Sequence, residues 1–179
     1  MDMFDRPWAI TDVETLGLNF RIYDIVDFAL LLIDPKTLEL IHLMDFKVKP
    51  KLPEVFDPES VAINGYNEAD WREADDLDSV MKLYSKLTEG AIFVSHNVTF
   101  DYGFVDEAFA KTGVPNLMDY HRLDLFSLAW AKKSSMPGLD KLNMWALCDH
   151  FGIPKEPSPH RAINGAMCEL EVLKRLMAL

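Results

Sequence analysis

Three apolar runs in the first third of the chain constrain its fold more than any other feature. They cover residues 8–13, 25–33 and 40–48, and their apolar content and length are typical of β-strands. The segment Asp34-Pro35-Lys36-Thr37 separates the last two runs and has Asp and Pro where a type I turn favours them. We therefore predict a β-sheet that contains an antiparallel hairpin.

Helical spacing of apolar residues dominates the rest of the chain. It predicts helices over residues 59–63, 76–87, 125–133, 139–151 and 160–177, and one that carries Phe100 and Phe104 and ends at Gly113. Residues 91–95 form a short apolar strand. Trp130 and Trp145 lie at helical spacing, so we expect them in the core. Strands that come first and then alternate with helices indicate a mixed α/β sheet with helices packed on it.

Composition supports a globular protein and limits its partners. Of 179 residues, 49% are hydrophobic and 26% charged, which excludes a disordered chain and favours one domain over residues 1–179. Lys and Arg number 18 against 29 Asp and Glu, so the net charge of −11 disfavours a general coat for nucleic acid. Nine of the acids lie between Glu54 and Asp78, so a local phosphate-binding surface elsewhere is still compatible with the sequence.

The sequence favours a cytoplasmic protein with no membrane partner. Its two cysteines, Cys148 and Cys168, form no CxxC pattern and would make an unusually sparse disulfide framework. The longest apolar run, near residues 28–33, is much shorter than the roughly 20 residues that span a bilayer. The first residues also lack the cationic start and apolar stretch of a signal peptide.

Asp12 and Glu14 lie at the end of the first apolar run and are the first candidates for chemistry. Alternate residues of a strand share a face, so both carboxylates should point the same way while Val13 packs on the other side. Paired carboxylates suit Mg²⁺ or Mn²⁺, which prefer oxygen ligands. The pair alone is weak evidence and favours a solvated strand end, because Asp57 and Glu59 have the same spacing in a predicted loop.

Two further candidates lie at predicted helix starts. Asp101 falls in a first turn, where an acid interacts favourably with the helix dipole and often has no other role. His160 follows a proline-rich loop and opens the last predicted helix, where the dipole disfavours the protonated ring. A neutral imidazole at physiological pH can act as a general base, although each residue alone is more often structural.

The order of three motifs resembles one enzyme family. The motifs are Asp12-Val13-Glu14-Thr15 at a strand end, His96-Asn97 with Phe100-Asp101 at a strand-to-helix junction, and His160-Arg161-Ala162 at the start of the last helix. In this order they are similar to the motifs of the DEDDh (DnaQ-like) 3′→5′ exonucleases. Residues 58–65 and 138–142 resemble two further segments of that family, so the resemblance covers nearly the whole chain.

This resemblance implies a ribonuclease-H-like fold, in which a mixed five-stranded sheet has helices on both faces. Asp12, Glu14 and Asp101 would hold two divalent cations, Mg²⁺ or Mn²⁺, at the scissile phosphate, and His160 would accept the proton of the attacking water. The implied reaction releases nucleoside 5′-monophosphates from the 3′ ends of single-stranded or frayed DNA or RNA. A homodimer and an association with a polymerase or another repair protein are both compatible with it.

The resemblance also implies a set of residues that contact the substrate. They are Thr15, Leu16, Gly17, Asn64, Asn97 and Phe100. The backbone of the first three would approach the terminal nucleotide, and Leu16 would either wedge against its base or simply close the strand. A few cations are candidates to line the path of the nucleic acid, although scattered surface cations are common: Lys132, Lys133, Lys141 and Arg161.

The chain departs from the family at one position. The family has a fourth carboxylate five residues after the histidine, where this chain has Gly165, and a helical glycine costs about 1 kcal/mol relative to alanine. Glu169, one turn further along, or Asn164 could supply the missing oxygen, or the enzyme could be weak and need high metal. Alternatively, the chain has lost catalysis and binds nucleic acid or a protein partner. If one ligand is simply missing, a Gly165→Asp variant should gain activity.

Overall fold

The computed structural model describes residues 2–179, and these residues form one mixed sheet of five strands. The strands are β1 (Trp8–Thr15), β2 (Ile25–Ile33), β3 (Leu40–Lys47), β4 (Ile92–Ser95) and β5 (Arg122–Asp124), in the spatial order β3-β2-β1-β4-β5. β2 is antiparallel to β1 and β3, whereas β1, β4 and β5 are parallel. The predicted mixed sheet and its hairpin, formed by β2 and β3, are confirmed.

Six α-helices accompany the sheet within the described residues: α1 (Pro58–Asn64), α2 (Leu77–Leu87), α3 (Thr99–Thr112), α4 (Leu125–Ala131), α5 (Met144–Phe151) and α6 (Ala162–Met177). α2 and α3 bury Tyr84 and Phe104 against one face of the sheet, and α4 and α6 bury Leu125 and Leu173 against the other. This apolar burial holds the layers together and confirms helices on both faces. None of the described helices has the length and apolar content needed to cross a membrane.

Three predictions for the helical part differ from the structure. α6 begins at Ala162 rather than at residue 160, so His160 lies just before the helix instead of opening it. α5 begins at Met144 rather than at residue 139, because the Asn143 side chain caps it and accepts a hydrogen bond from a first-turn amide at 2.9 Å. Trp130 and Trp145 are 68% and 64% exposed, so the prediction that they lie in the core is wrong. Helical spacing indicates which side chains share a face, but it does not reveal whether another element covers that face.

The carboxyl ends of the parallel strands meet at one edge of the sheet. β1 pairs with β4 only from Trp8 to Ile10, and it then continues alone on this side to Thr15. Its remaining backbone groups on that side are therefore open to α3, which begins shortly after β4 ends. In open α/β sheets, ligands bind outside this edge.

Asp124 organises the turn between β4 and α3. Its Oδ1 accepts hydrogen bonds from the amides of Asn97 and Val98 at 2.9 and 3.3 Å, and its Oδ2 accepts from the Ser127 hydroxyl at 2.6 Å and caps α4. Asn97 has a φ of +60°, a left-handed conformation that asparagine adopts more readily than most residues. One acid therefore fixes the starts of two helices beside the open edge.

We expect the Asp124→Ala variant to lower the free energy of unfolding by about 2 kcal/mol, because it removes a helix cap and leaves amides without their acceptor. Urea denaturation would measure the loss. The exposed Asp140 offers a matched control, and Asp140→Ala should change little. An equal effect of both variants would contradict the organising role of Asp124.

Candidate active site

Asp12 and Glu14 alternate along β1 with the buried Thr11 and Val13, as the strand period predicts. The Asp12 face of β1 is turned toward α6. A Cβ atom added to Gly165 on α6 would lie only 2.6 Å from the Asp12 Oδ2 atom. The Asp12 carboxylate therefore lies directly against the glycine of the last helix.

Asp101 and Glu169, which are buried, join the half-buried Asp12 in one group, which we call the inner group. Asp101, in the first turn of α3, accepts a hydrogen bond through Oδ1 from the Val13 amide at 3.3 Å. Glu169 comes from α6, and one carboxylate oxygen from each of the three acids lies within 4.8 Å of the others. The sequence motifs predict Asp12 and Asp101 at this place, and the structure brings Glu169 to them as well.

Glu14, Glu156 and His160 form a neighbouring outer group, with one ligand atom from each within 4.8 Å of the others. The Glu156 Oε2 atom lies 3.3 Å from Nδ1 of His160. Its Oε1 atom accepts a hydrogen bond from the Arg161 amide at 3.1 Å. The sequence patterns do not identify Glu156, because it lies in a proline-rich loop where spacing does not indicate the direction of a side chain.

Arg161 anchors the loop that carries His160. Its guanidinium group pairs with Asp27 on β2 and, at 3.0 Å, with Asp45 on β3. The His160 amide also donates to the carbonyl of Ile63 at 3.0 Å. Arg161 is therefore engaged with the sheet, and the expectation that it lines the path of the nucleic acid does not match its position.

Burial and mutual repulsion raise the pKa values of both groups of acids. Burial raises the pKa of Asp12 well above its usual range, and the charges of Asp101 and Glu169 add to this effect. Burial also raises the pKa of Asp101 to about 7 and, with help from Glu156, the pKa of Glu14 to about 8. These carboxylates thus lie where negative charge is costly.

The inner group fits a divalent cation. Within residues 2–179, no lysine or arginine forms an ion pair with Asp12, Asp101 or Glu169. The Oε2 atom of Glu169 is buried and has no hydrogen-bond partner among the described residues. A set of oxygen ligands with excess negative charge is what Mg²⁺ and Mn²⁺ prefer.

Asp12 and Glu169 of the inner group and Glu156 and His160 of the outer group line one cavity of about 280 Å³. Its wall includes Asp12, His160 and Glu169, together with the exposed Trp145. The ammonium group of Lys155 lies 3.1 Å from the centre of the Trp145 ring. The cavity therefore combines acids, an imidazole, a cation and an aromatic surface.

The turn after β1 matches the second of the two alternatives for Leu16, in which this residue closes the strand. Its side chain is fully buried and packs with Val26 and Trp71, so it cannot wedge against a base; the exposed apolar side chain of this turn is Leu18. At Gly17, a Cβ atom would lie 2.5 Å from the Tyr23 ring, so this position needs glycine. The turn has a fixed backbone rather than a projecting Leu16 side chain.

The other predicted contact residues divide into structural and accessible ones. Asn64 is buried, donates to the Thr15 carbonyl at 2.9 Å and accepts from the Tyr66 amide at 3.0 Å, so its amide holds the turn in place rather than facing a ligand. Thr15 is buried and donates through its hydroxyl to the Gly17 carbonyl at 2.7 Å. Asn97 is exposed and Phe100 is half-buried, so substrate contact by these two stays a prediction.

Comparison with known proteins assigns a family to this arrangement. Residues 9–173 match the family model RNase_T, whose description is exonuclease. The DNA polymerase III PolC-type of Lacticaseibacillus paracasei is 31% identical over 125 residues, which cover 65% of this chain and 8% of that protein. Protein NEN2 of Arabidopsis thaliana is 28% identical over 170 residues, which cover 93% of this chain and 34% of that protein.

The fold is also that of a solved exonuclease. The zinc-bound crystal structure of E. coli exonuclease I with single-stranded DNA matches with a TM-score of 0.81 and 19% sequence identity, over 97% of this chain and 42% of that one. The chain spans less than half the length of each of these three proteins. At this identity the structural likeness concerns the fold, and it confirms the expected ribonuclease-H-like architecture.

We expect the metal-free protein to lose stability as the pH rises from about 5 to about 8. In this window the unfolded chain has already released its carboxyl protons, whereas folded Asp101 and Glu14 retain theirs until their pKa values of about 7 and about 8 are reached. The thermal midpoint in a chelator should therefore fall with pH. Glu14→Gln should flatten the decline, and a midpoint that rises would contradict the burial of these acids.

The Arg161→Leu variant should lower the free energy of unfolding by about 2 kcal/mol, because it leaves the buried Asp27 without its counter-charge while the partly exposed guanidinium limits the loss. Adding Asp27→Asn should recover part of that loss. Urea denaturation of both variants would measure this coupling. The exposed Arg175 provides the control, and an equal loss for Arg175→Leu would show that Arg161 is not an anchor.

Proposed function

The chain belongs to the RNase_T family of exonucleases, and on that premise we propose that it is a metal-dependent 3′→5′ exonuclease. Its products would be nucleoside 5′-monophosphates from single-stranded or frayed DNA or RNA ends. One observation carries the proposal: Asp12, Glu14, Asp101 and His160, which are far apart in sequence, contribute to two adjoining groups of side chains. Each group contains acids that form no ion pair with a lysine or arginine among residues 2–179.

The acids and the imidazole have separate roles in the proposed reaction. Asp12, Glu14 and Asp101 would hold divalent cations, which when bound polarise the scissile phosphate and favour ionisation of the attacking water. The Glu156 carboxylate faces Nδ1 of His160 at 3.3 Å and favours a proton on that nitrogen. The Nε2 atom is then left with a lone pair and accepts the proton of the water as it attacks phosphorus.

The surroundings of the site support a nucleic-acid end as the substrate. Trp145 and Lys155, at the wall of the cavity, offer an aromatic surface and a cation, which are the features that hold bases and phosphates of single strands. The exonuclease I structure with the same fold contains zinc and single-stranded DNA. Cytoplasmic location, dimer formation and association with a polymerase stay predictions of the sequence.

The test is release of nucleotides from a 5′-labelled single-stranded oligonucleotide in Mg²⁺ or Mn²⁺. A ladder of shortened products is expected, and a 3′-terminal phosphorothioate should delay it. His160→Ala should reduce the rate by about 10³-fold, since general-base catalysis contributes about 10²–10⁴. The exposed His150 gives the control, and His150→Ala should leave the rate unchanged.

Failure to shorten the oligonucleotide in either metal would reject the exonuclease. If the protein then still bound the labelled strand, with an affinity that depended steeply on salt, its function would be nucleic-acid binding without cleavage. Digestion from the 5′ end, seen as immediate loss of the label, would reject the proposed polarity.

A further inference from the structure

We propose that Glu169 supplies the metal-binding carboxylate that Gly165 lacks, from one turn further along α6. This inference rests on the proposed function, because it concerns the same cation site. It assigns Glu169 to the inner group with Asp12 and Asp101 and treats Gly165 as a steric requirement of that arrangement. The site is thus complete in its carboxylates, although the acid comes from a different position.

Gly165 leaves no room for a side chain. A Cβ atom at this position would lie 2.6 Å from Oδ2, 2.9 Å from Cγ and 3.1 Å from Oδ1 of Asp12. The close neighbour is a short carboxylate side chain from a central strand, not the end of a long flexible one. An acid at position 165 would therefore displace Asp12 from the place it occupies here.

Glu169 lies on the same side of α6 as Gly165, because residues four apart on a helix are neighbours. Side chains of a helix lean toward its N-terminus, so Glu169 leans back toward the turn of Gly165. Its carboxylate reaches Asp12 and Asp101, with one oxygen from each acid within 4.8 Å of the others. The three acids come from β1, α3 and α6.

The two oxygens of the Glu169 carboxylate have different surroundings. Oε1 accepts a hydrogen bond from the His96 amide at 2.6 Å, which fixes the side chain at the end of β4. Oε2 is buried without a hydrogen-bond partner in the described part of the chain, and the residue is 3% exposed. An unpaired buried carboxylate oxygen is costly, and a cation shared with Asp12 and Asp101 would remove that cost.

A purely structural role for Glu169 makes a different prediction. If its task were only to accept the His96 hydrogen bond, the neutral Glu169→Gln variant would perform it equally well, since the amide oxygen is also an acceptor. If Glu169 binds a cation, the same variant keeps the shape and loses the charge. This isosteric change therefore separates the two roles.

The experiment is titration of Mn²⁺ into the protein without nucleic acid, followed by calorimetry and by the electron paramagnetic resonance signal of free Mn²⁺. Glu169→Gln should weaken Mn²⁺ binding by at least about tenfold. It should also shrink the rise in thermal midpoint that Mn²⁺ produces, while the midpoint in a chelator stays the same or rises. Glu171→Gln, two positions further along α6, is the matched control and should bind Mn²⁺ like the wild type.

A second variant tests the steric half of the inference. Gly165→Asp should bind Mn²⁺ more weakly than the wild type and have a lower thermal midpoint, because its side chain collides with Asp12. Tighter Mn²⁺ binding by Gly165→Asp would overturn the inference, since it would show that the cation site lacks a carboxylate at position 165 and that Glu169 does not replace it. Unchanged Mn²⁺ affinity of Glu169→Gln would overturn it as well.

These outcomes are separate from those of the proposed function. If the wild type shortens oligonucleotides and Glu169→Gln retains full Mn²⁺ affinity, the proposed exonuclease activity stands and the proposed role of Glu169 is rejected. If Mn²⁺ binding depends on Glu169 but the protein does not shorten oligonucleotides, the proposed role of Glu169 stands and the proposed exonuclease activity is rejected. A wild type that binds no Mn²⁺ overturns the role of Glu169.

Discussion

Convergence of several carboxylates in a partly buried place is the constraint on which the rest of this structure depends. Apolar packing of helices on both faces of the sheet brings the end of β1, the start of α3 and the middle of α6 to one place. Asp12, Asp101 and Glu169 are carried there whether or not their charges are compatible. Carboxylates held this close together must take up protons or bind cations. The free energy of apolar burial in the core therefore offsets the repulsion between these carboxylates.

The inner and outer groups of side chains differ in how deeply they are buried. The inner group has two buried acids, Asp101 and Glu169, so its charge has little access to water. In the outer group, the His160 side chain is 42% exposed, so its imidazole is accessible to solvent. The ion pairs of Arg161 with β2 and β3 link the two, because they fix the loop next to the strand that carries both Asp12 and Glu14.

Local patterns predicted what local geometry decides, and little beyond it. The strand period placed Asp12 and Glu14 on one face, and motif order identified Asp101 and His160. Glu156 was not predicted, because residue spacing in a proline-rich loop does not indicate where a side chain points. The burial of Leu16 and the exposure of Trp145 depend on neighbours that are distant in sequence. The amide of Asn64 was misassigned for the same reason, since its partner is the Thr15 carbonyl across the fold.

Gly165 shows why a missing motif residue need not mean a missing function. A motif is defined by residue types at fixed sequence spacings, whereas cation binding depends on where the ligand oxygens lie in three dimensions. One helical turn rises about 5.4 Å, and the backward lean of helical side chains, together with the extra methylene of glutamate over aspartate, offsets much of that distance. Because Asp12 occupies the volume that a side chain at 165 would need, the glycine and Glu169 are two parts of one arrangement. The glycine accommodates one carboxylate, and the turn that follows supplies another.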